Sequence, residues 1–205
     1  MRWLFPLLYP QRWWRMPPCQ PPRLYLTFDD GPHPSITPWV QEQLAAYQAQ
    51  ATFFCIGANV DRYPNIIHSL KAAGHGLGHH TQHHVKGWGC ASPQYREEVL
   101  QGARRSPSPL FRPPYGKMTH RQAQTVQELG YQIVMWDVLT RDYQPHSSPE
   151  SCWAHTRPLL RNGSIVVLHD SEKAWPRLKK LLPWLLEWAA PTYEFSALPV
   201  SPTSP

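Results

Sequence analysis

Two adjacent aspartates, Asp29 and Asp30, stand where an apolar run, Arg23 to Phe28, meets Gly31-Pro32. Neighbouring carboxylates repel and strands disfavour Asp, so a pair at a strand's carboxyl end suggests a metal or a proton handled there. Asp, Gly and Pro are also turn residues, and the hexapeptide Thr27 to Pro32 alone leaves a solvated turn open. A second group lies downstream, where His80 and His84 are four residues apart. One turn of helix or a tight loop would aim both imidazoles the same way, which is metal-ligand spacing. His75, His79 and His83 crowd the same segment, so spacing by itself also fits an incidental histidine cluster. One carboxylate with two imidazoles holds a divalent transition metal and leaves positions open for water and substrate, as in hydrolytic zinc sites. With Asp30 available as the third ligand, the metal reading is the stronger one.

These residues need elements that bring them together, and the chain supplies an alternation of short β-type runs and helical patterns. Strands are expected at Leu24 to Phe28, Thr52 to Ile56, Gly76 to His79, Leu110 to Phe111, Gln132 to Trp136, Ser164 to Leu168 and Tyr193 to Ser196. Between them, Thr37 as N-cap and Pro38 at the first helical position begin a helix with Val40, Leu44 and Tyr47 on one face. Further helices are expected over Tyr63 to Ala73, Pro93 to Arg104, Thr119 to Leu129, Pro149 to Leu160 and Ala174 to Ala189. In a parallel β/α barrel, functional groups collect where strand carboxyl ends meet the following loops. The unusual polar residues fall at such ends: Asp29-Asp30, His80 to His84, Arg112-Pro113-Pro114-Tyr115, Asp137 and Asp142, and His169-Asp170.

In this order, TFDDGP, HTQHH, RPPYG, the Trp136 to Tyr143 segment and VVLHD resemble the polysaccharide deacetylases of the NodB-homology type, carbohydrate esterase family 4. The resemblance runs from about Arg23 to Ala190 and implies a distorted (β/α)7-type barrel that removes acetyl groups from carbohydrate with a metal. It implies Asp29 as general base with Arg112 as its partner, and Asp30, His80 and His84 as metal ligands. It also implies His169 as general acid oriented by Asp142, and the backbone N–H of Tyr115 as an oxyanion donor. Zn2+ is the expected metal, with Co2+ or Ni2+ accepted by the same weakly selective ligands. The chain departs from the family pattern at His79 and Val85 around the histidine motif, at Tyr143, where Trp is common, and at Val167, where Leu is common. The last two put the shape of the acyl pocket in question; Pro114, Trp136, Tyr143, Val167 and Trp88 are its candidate residues, although Trp136 fits a core position and Trp88 a loop anchor as well.

At 205 residues the chain fits one catalytic domain, expected over 23–198, after a Pro/Trp-rich lead, 1–22, and before a disordered tail, 199–205. The charge of +6 comes from scattered Lys and Arg, without the dense stripe of a nucleic-acid binder. Four cysteines form no CxxC pair or dense framework, and a buried thiol at Cys55 mildly favours a reducing compartment. Pro6 and Pro10 break the leading apolar run, so neither a clear signal peptide nor a transmembrane segment is expected, and cytoplasmic and envelope-associated locations stay open. The expected partner is an acetylated saccharide, with no obligate protein partner implied. Two alternatives use the same fold: a carbon-nitrogen hydrolase for a small non-sugar amide, and a non-catalytic carbohydrate binder.

Overall fold

The computed structural model describes residues 5–200; Trp3 and most of the expected tail lie outside the described residues. In chain order the elements are α1 (Phe5–Leu8), β1 (Arg23–Asp29), α2 (Ile36–Ala45), β2 (Thr52–Cys55), α3 (Gly57–Arg62), α4 (Pro64–Ala72), β3 (Gly76–His79), α5 (Ser92–Arg105) and β4 (Leu110–Phe111). A 3-10 turn, Pro114–Gly116, leads to α6 (His120–Glu128), β5 (Gln132–Ile133), β6 (Val138–Leu139), α7 (Pro149–Thr156), a second 3-10 turn (Arg157–Leu159), β7 (Ile165–His169), α8 (Trp175–Ala189) and β8 (Glu194–Phe195).

The strands form one curled parallel sheet in the order β5-β4-β3-β2-β1-β7-β6, with β8 beside the start of β1. It is a distorted barrel with helices outside, whose end strands β5 and β6 do not pair with each other among the described residues. Three elements escaped the sequence reading, the first being the four-residue α1 in the lead. Strand β6 is two residues long and has no period to read, and α3 spans six residues opened by a glycine. The run expected to reach Trp136 as a strand ends at Ile133. Beyond it, Val134 pairs with Trp13 of the lead, and Met16 N–H donates to the Gly163 carbonyl at 2.9 Å, so the lead is laced onto the sheet. Thr37 does not cap α2, which begins at Ile36. Its hydroxyl donates instead to Asp170 Oδ2 at 2.5 Å, while its oxygen accepts the His33 N–H at 2.8 Å.

Strand alternation sorts the residues. Leu24, Leu26, Phe28, Val166 and Leu168 face outward into a core with Val40 and Leu44 of α2 and Leu178, Leu182 and Leu185 of α8. Tyr25, Phe54, Leu110, Val134 and Ile165 form a second cluster with Met16. Thr27 and Asp29 therefore share the face of Tyr25, and Val167 and His169 share the face of Ile165. The register pairs Asp29 with His169 and Cys55 with His79, levelling the carboxyl ends of neighbouring strands. Asp29 and His169 are thereby brought side by side from 140 residues apart in the chain.

Candidate active site

Asp29 is buried at the end of β1, and Arg112 Nη1 donates to its Oδ1 at 2.7 Å. Arg112 follows β4 and is wholly buried. Its other donors are also engaged: Nη1 with Thr27 Oγ1 at 2.7 Å, Nη2 with the Met135 carbonyl at 3.0 Å and Nε with the Val134 carbonyl at 3.3 Å. The guanidinium carbon sits 4.1 Å from the Phe54 ring centroid. A buried carboxylate without this partner would carry its full desolvation cost. Arg112→Met should therefore destabilise the fold by about 3–5 kcal/mol in chemical denaturation, with part recovered when Asp29→Asn is added.

Asp30, His80 and His84 each offer a ligand atom, and these atoms lie within 4.8 Å of one another. His80 follows β3, and its Nδ1 donates to the Arg112 carbonyl at 2.7 Å, which leaves the lone pair on Nε2. Nε2 of His84 stands 3.2 Å and Nε2 of His80 4.0 Å from Asp30 Oδ1. That oxygen is out of solvent and receives no aligned hydrogen bond among the described residues. A buried carboxylate oxygen facing two imidazole nitrogens fits a shared divalent cation. Burial pushes the His80 imidazole down to about 4, so it is neutral at pH 7, as a metal ligand must be. Burial opposes ionisation of Asp30, but the close His84 contact and the fields of His169 and His80 hold its carboxyl well below the usual range.

Backbone geometry concentrates here. Asp30 at φ 80°, Thr81 at 63°, His84 at 57° and Tyr115 at 59° all occupy left-handed conformations. Non-glycine residues of this kind are held by their surroundings and cluster at functional sites. The Asp30 carbonyl accepts a hydrogen bond from Asn59 Nδ2 at 2.8 Å, and Gly31 N–H donates to Asp170 Oδ1 at 3.0 Å. A Cβ on Gly31 would lie 2.1 Å from Asp170 Oδ2, so only glycine fits that turn.

On the other side, His169 Nδ1 meets Asp142 Oδ1 at 2.7 Å, and its backbone N–H donates to Oδ2 at 2.8 Å. The Asp142 carbonyl in turn accepts from Arg177 Nε at 2.8 Å. Burial would lower the His169 value, but the charge and hydrogen bond of Asp142, with the fields of Asp30 and Asp29, raise it to about 9. His169 therefore carries a proton on Nε2 at neutral pH, as a general acid requires, and loses it as pH rises through about 9. With Asp142→Asn the largest raising influence goes while burial remains. The alkaline limb of the pH–rate profile should move down by at least about one unit.

The remaining sequence-predicted residues divide. Tyr115 is exposed on the turn after Arg112, its ring centroid 4.8 Å from that of His84, and buried Pro114 precedes it. Tyr143 packs edge-on to His169 at 5.1 Å. Val167 is buried in the middle of β7, one alternation below His169. Trp136 is half-buried, 5.8 Å from the Arg112 guanidinium, and lies beneath Gly116, where a Cβ would come within 2.7 Å of its ring. It thus packs under the turn that presents Tyr115. Trp88 is 53% exposed, its indole N–H donating to the Met118 carbonyl with Lys117 Nζ over the ring. His79 and His83 stand outside the ligand set: His79 is buried between Phe111 and Tyr131, and His83 pairs with Glu98 at 2.8 Å. Asp137 accepts the Ile165 N–H at 2.9 Å and so anchors the opposite end of β7 from His169. The supporting roles of Thr27, Asn59 and Asp170 were not read from sequence; the threonine that opens TFDDGP was the one available signal.

The family model for polysaccharide deacetylase matches residues 17–134. A peptidoglycan-N-acetylglucosamine deacetylase of Bacillus cereus is 35% identical over 172 residues, covering 78% of this chain and 80% of the relative. A chitooligosaccharide deacetylase of Azorhizobium caulinodans is 34% identical over 154 residues, covering 72% and 73%. Among solved structures, a peptidoglycan N-acetylglucosamine deacetylase superposes with a TM-score of 0.80 at 27% identity, covering 95% of this chain and 94% of that one. The match extends over the sheet, the helices and the strand ends that gather these carboxylates and imidazoles, and the chain belongs to the polysaccharide deacetylase family.

Proposed function

We propose that this protein hydrolyses the N-acetyl groups of an N-acetylglucosamine-containing glycan, peptidoglycan or a chito-oligosaccharide, with zinc held by Asp30, His80 and His84. The observation that carries the reading is the placement of a ligand set between two separately supported proton-transfer groups, Asp29 held by Arg112 and His169 held by Asp142. A pure binder needs neither group at such cost in buried charge. The relatives named as deacetylases of peptidoglycan and chito-oligosaccharide support the substrate class.

A divalent metal at such a site polarises the acetyl carbonyl and acidifies water. Asp29 is fixed through Oδ1 and takes a proton from the attacking water, while the water oxygen forms a bond to the acetyl carbon. In this reading the Tyr115 backbone N–H donates to the oxygen that gains charge, a donor worth roughly 10²- to 10³-fold in rate. His169 gives its Nε2 proton to the sugar nitrogen as the C–N bond breaks, so acetate and a free amine leave. Two imidazoles and a carboxylate also accept cobalt or nickel.

The test is a substrate panel scored for acetate and free amine: N-acetylglucosamine oligomers, peptidoglycan fragments, an O-acetylated glycan and a small non-sugar amide. Equal release of acetate and amine from the N-acetylated glycans is expected. No release from either glycan, or faster hydrolysis of the non-sugar amide, would sink the proposal.

A further inference from the structure

Helices α7 and α8 pack side by side, and on their surface a pocket of about 470 Å³ is lined by Glu150, Trp153, Trp184, Glu187 and Trp188. None of these residues belongs to the site at the strand ends. Trp184 and Trp188 are one turn apart on α8, and Glu150 and Trp153 are one turn apart on α7, so each helix contributes an indole and a glutamate to a mostly apolar wall with the carboxylates at its edge. Trp153 meets Trp188 edge to face at 5.8 Å, and Trp188 keeps 37% of its surface exposed. The Trp188 ring already attracts a cation, since the Arg157 guanidinium lies 5.8 Å from its centroid. Arg157 and Lys180, which lies within Coulombic range of Glu150, are outside the lining; the charges inside it are both negative.

Indole faces stack on the C–H face of a pyranose and attract ammonium groups, and carboxylates pair with those groups. A neutral N-acetyl sugar satisfies the first preference and brings the glutamates no further cation. A pyranose bearing a protonated amine satisfies both. Resting on the deacetylase reading, we propose that this pocket binds glucosamine units of the partly deacetylated glycan and so holds the enzyme to polymer on which it has already acted.

Binding is measured by calorimetry on proteins carrying Asp29→Asn, which suppresses turnover, with glucosamine hexamer and N-acetylglucosamine hexamer as probes. Adding Trp188→Ala should weaken the glucosamine hexamer about tenfold and the acetylated one less than about twofold. The pair Glu150→Gln and Glu187→Gln, which leaves the indole packing in place, should weaken the glucosamine hexamer several-fold. Unchanged glucosamine binding in both sets would overturn the proposal, as would equal weakening of both oligomers, which assigns a neutral sugar platform. Acetate release from a short acetylated substrate, by proteins with Asp29 intact, should be the same with and without the pocket substitutions. Its complete absence would instead sink the deacetylase reading, whatever the pocket binds.

Discussion

Asp29→Asn should bind metal as the parent does and release acetate about 10²- to 10⁴-fold more slowly, the range expected when a positioned base is lost. The amide keeps the shape of the carboxyl group and an oxygen for Arg112, which also bonds Thr27, Val134 and Met135. The fold therefore survives the loss of the charge. The ligand set of Asp30, His80 and His84 is also left in place, because Asp29 belongs to a different hydrogen-bond group. Metal content and acetate release, measured on the same preparation, separate the two properties. A variant that loses both would show that Asp29 is a ligand and that the roles of the pair are exchanged.

Asp30→Ala should fail in the opposite order, losing metal affinity by more than about 100-fold and activity with it, since a first ligand contributes more than the supporting groups that orient ligands. Excess metal should restore part of the rate because Asp29 and His169 remain held by Arg112 and Asp142. Alanine at φ 80° adds roughly 1–2 kcal/mol of backbone strain. Asp30→Asn avoids most of it, as asparagine tolerates the left-handed region, and should lose metal with less effect on stability. Equal metal content in parent and both variants, by elemental analysis after dialysis, would remove Asp30 from the ligand set.

Much of this was legible because the chemistry sits at strand ends and strand ends are marked in sequence. The run before Asp29 and the run before His169 are continuous and apolar, as strands of a parallel sheet covered on both faces are. Choosing His80 and His84 from five crowded histidines depended on the family motif. The structure supplies a physical separation: the His79 side chain is buried among rings, while Glu98 engages His83. The supporting residues were less visible. Asn59 lies on a short helix with no periodic signal, and Asp170 reads only as a polar residue at a strand end until Gly31 and Thr37 arrive from 139 and 133 residues away. Arg12 to Met16 read as part of a separate lead, yet they pair with the sheet between Val134 and Ser164. Pairings of that range leave no period in the sequence, whereas an amphipathic helix such as α6 does.

Acetate release from an N-acetylated glycan should depend on a metal held by Asp30, His80 and His84. The most direct measurement is acetate release from N-acetylglucosamine oligomers by the parent protein before chelation, after chelation and after stoichiometric zinc. Release, loss to background, and recovery to near the starting rate with one metal ion per chain are the expected results. Undiminished release from fully chelated protein would contradict this dependence.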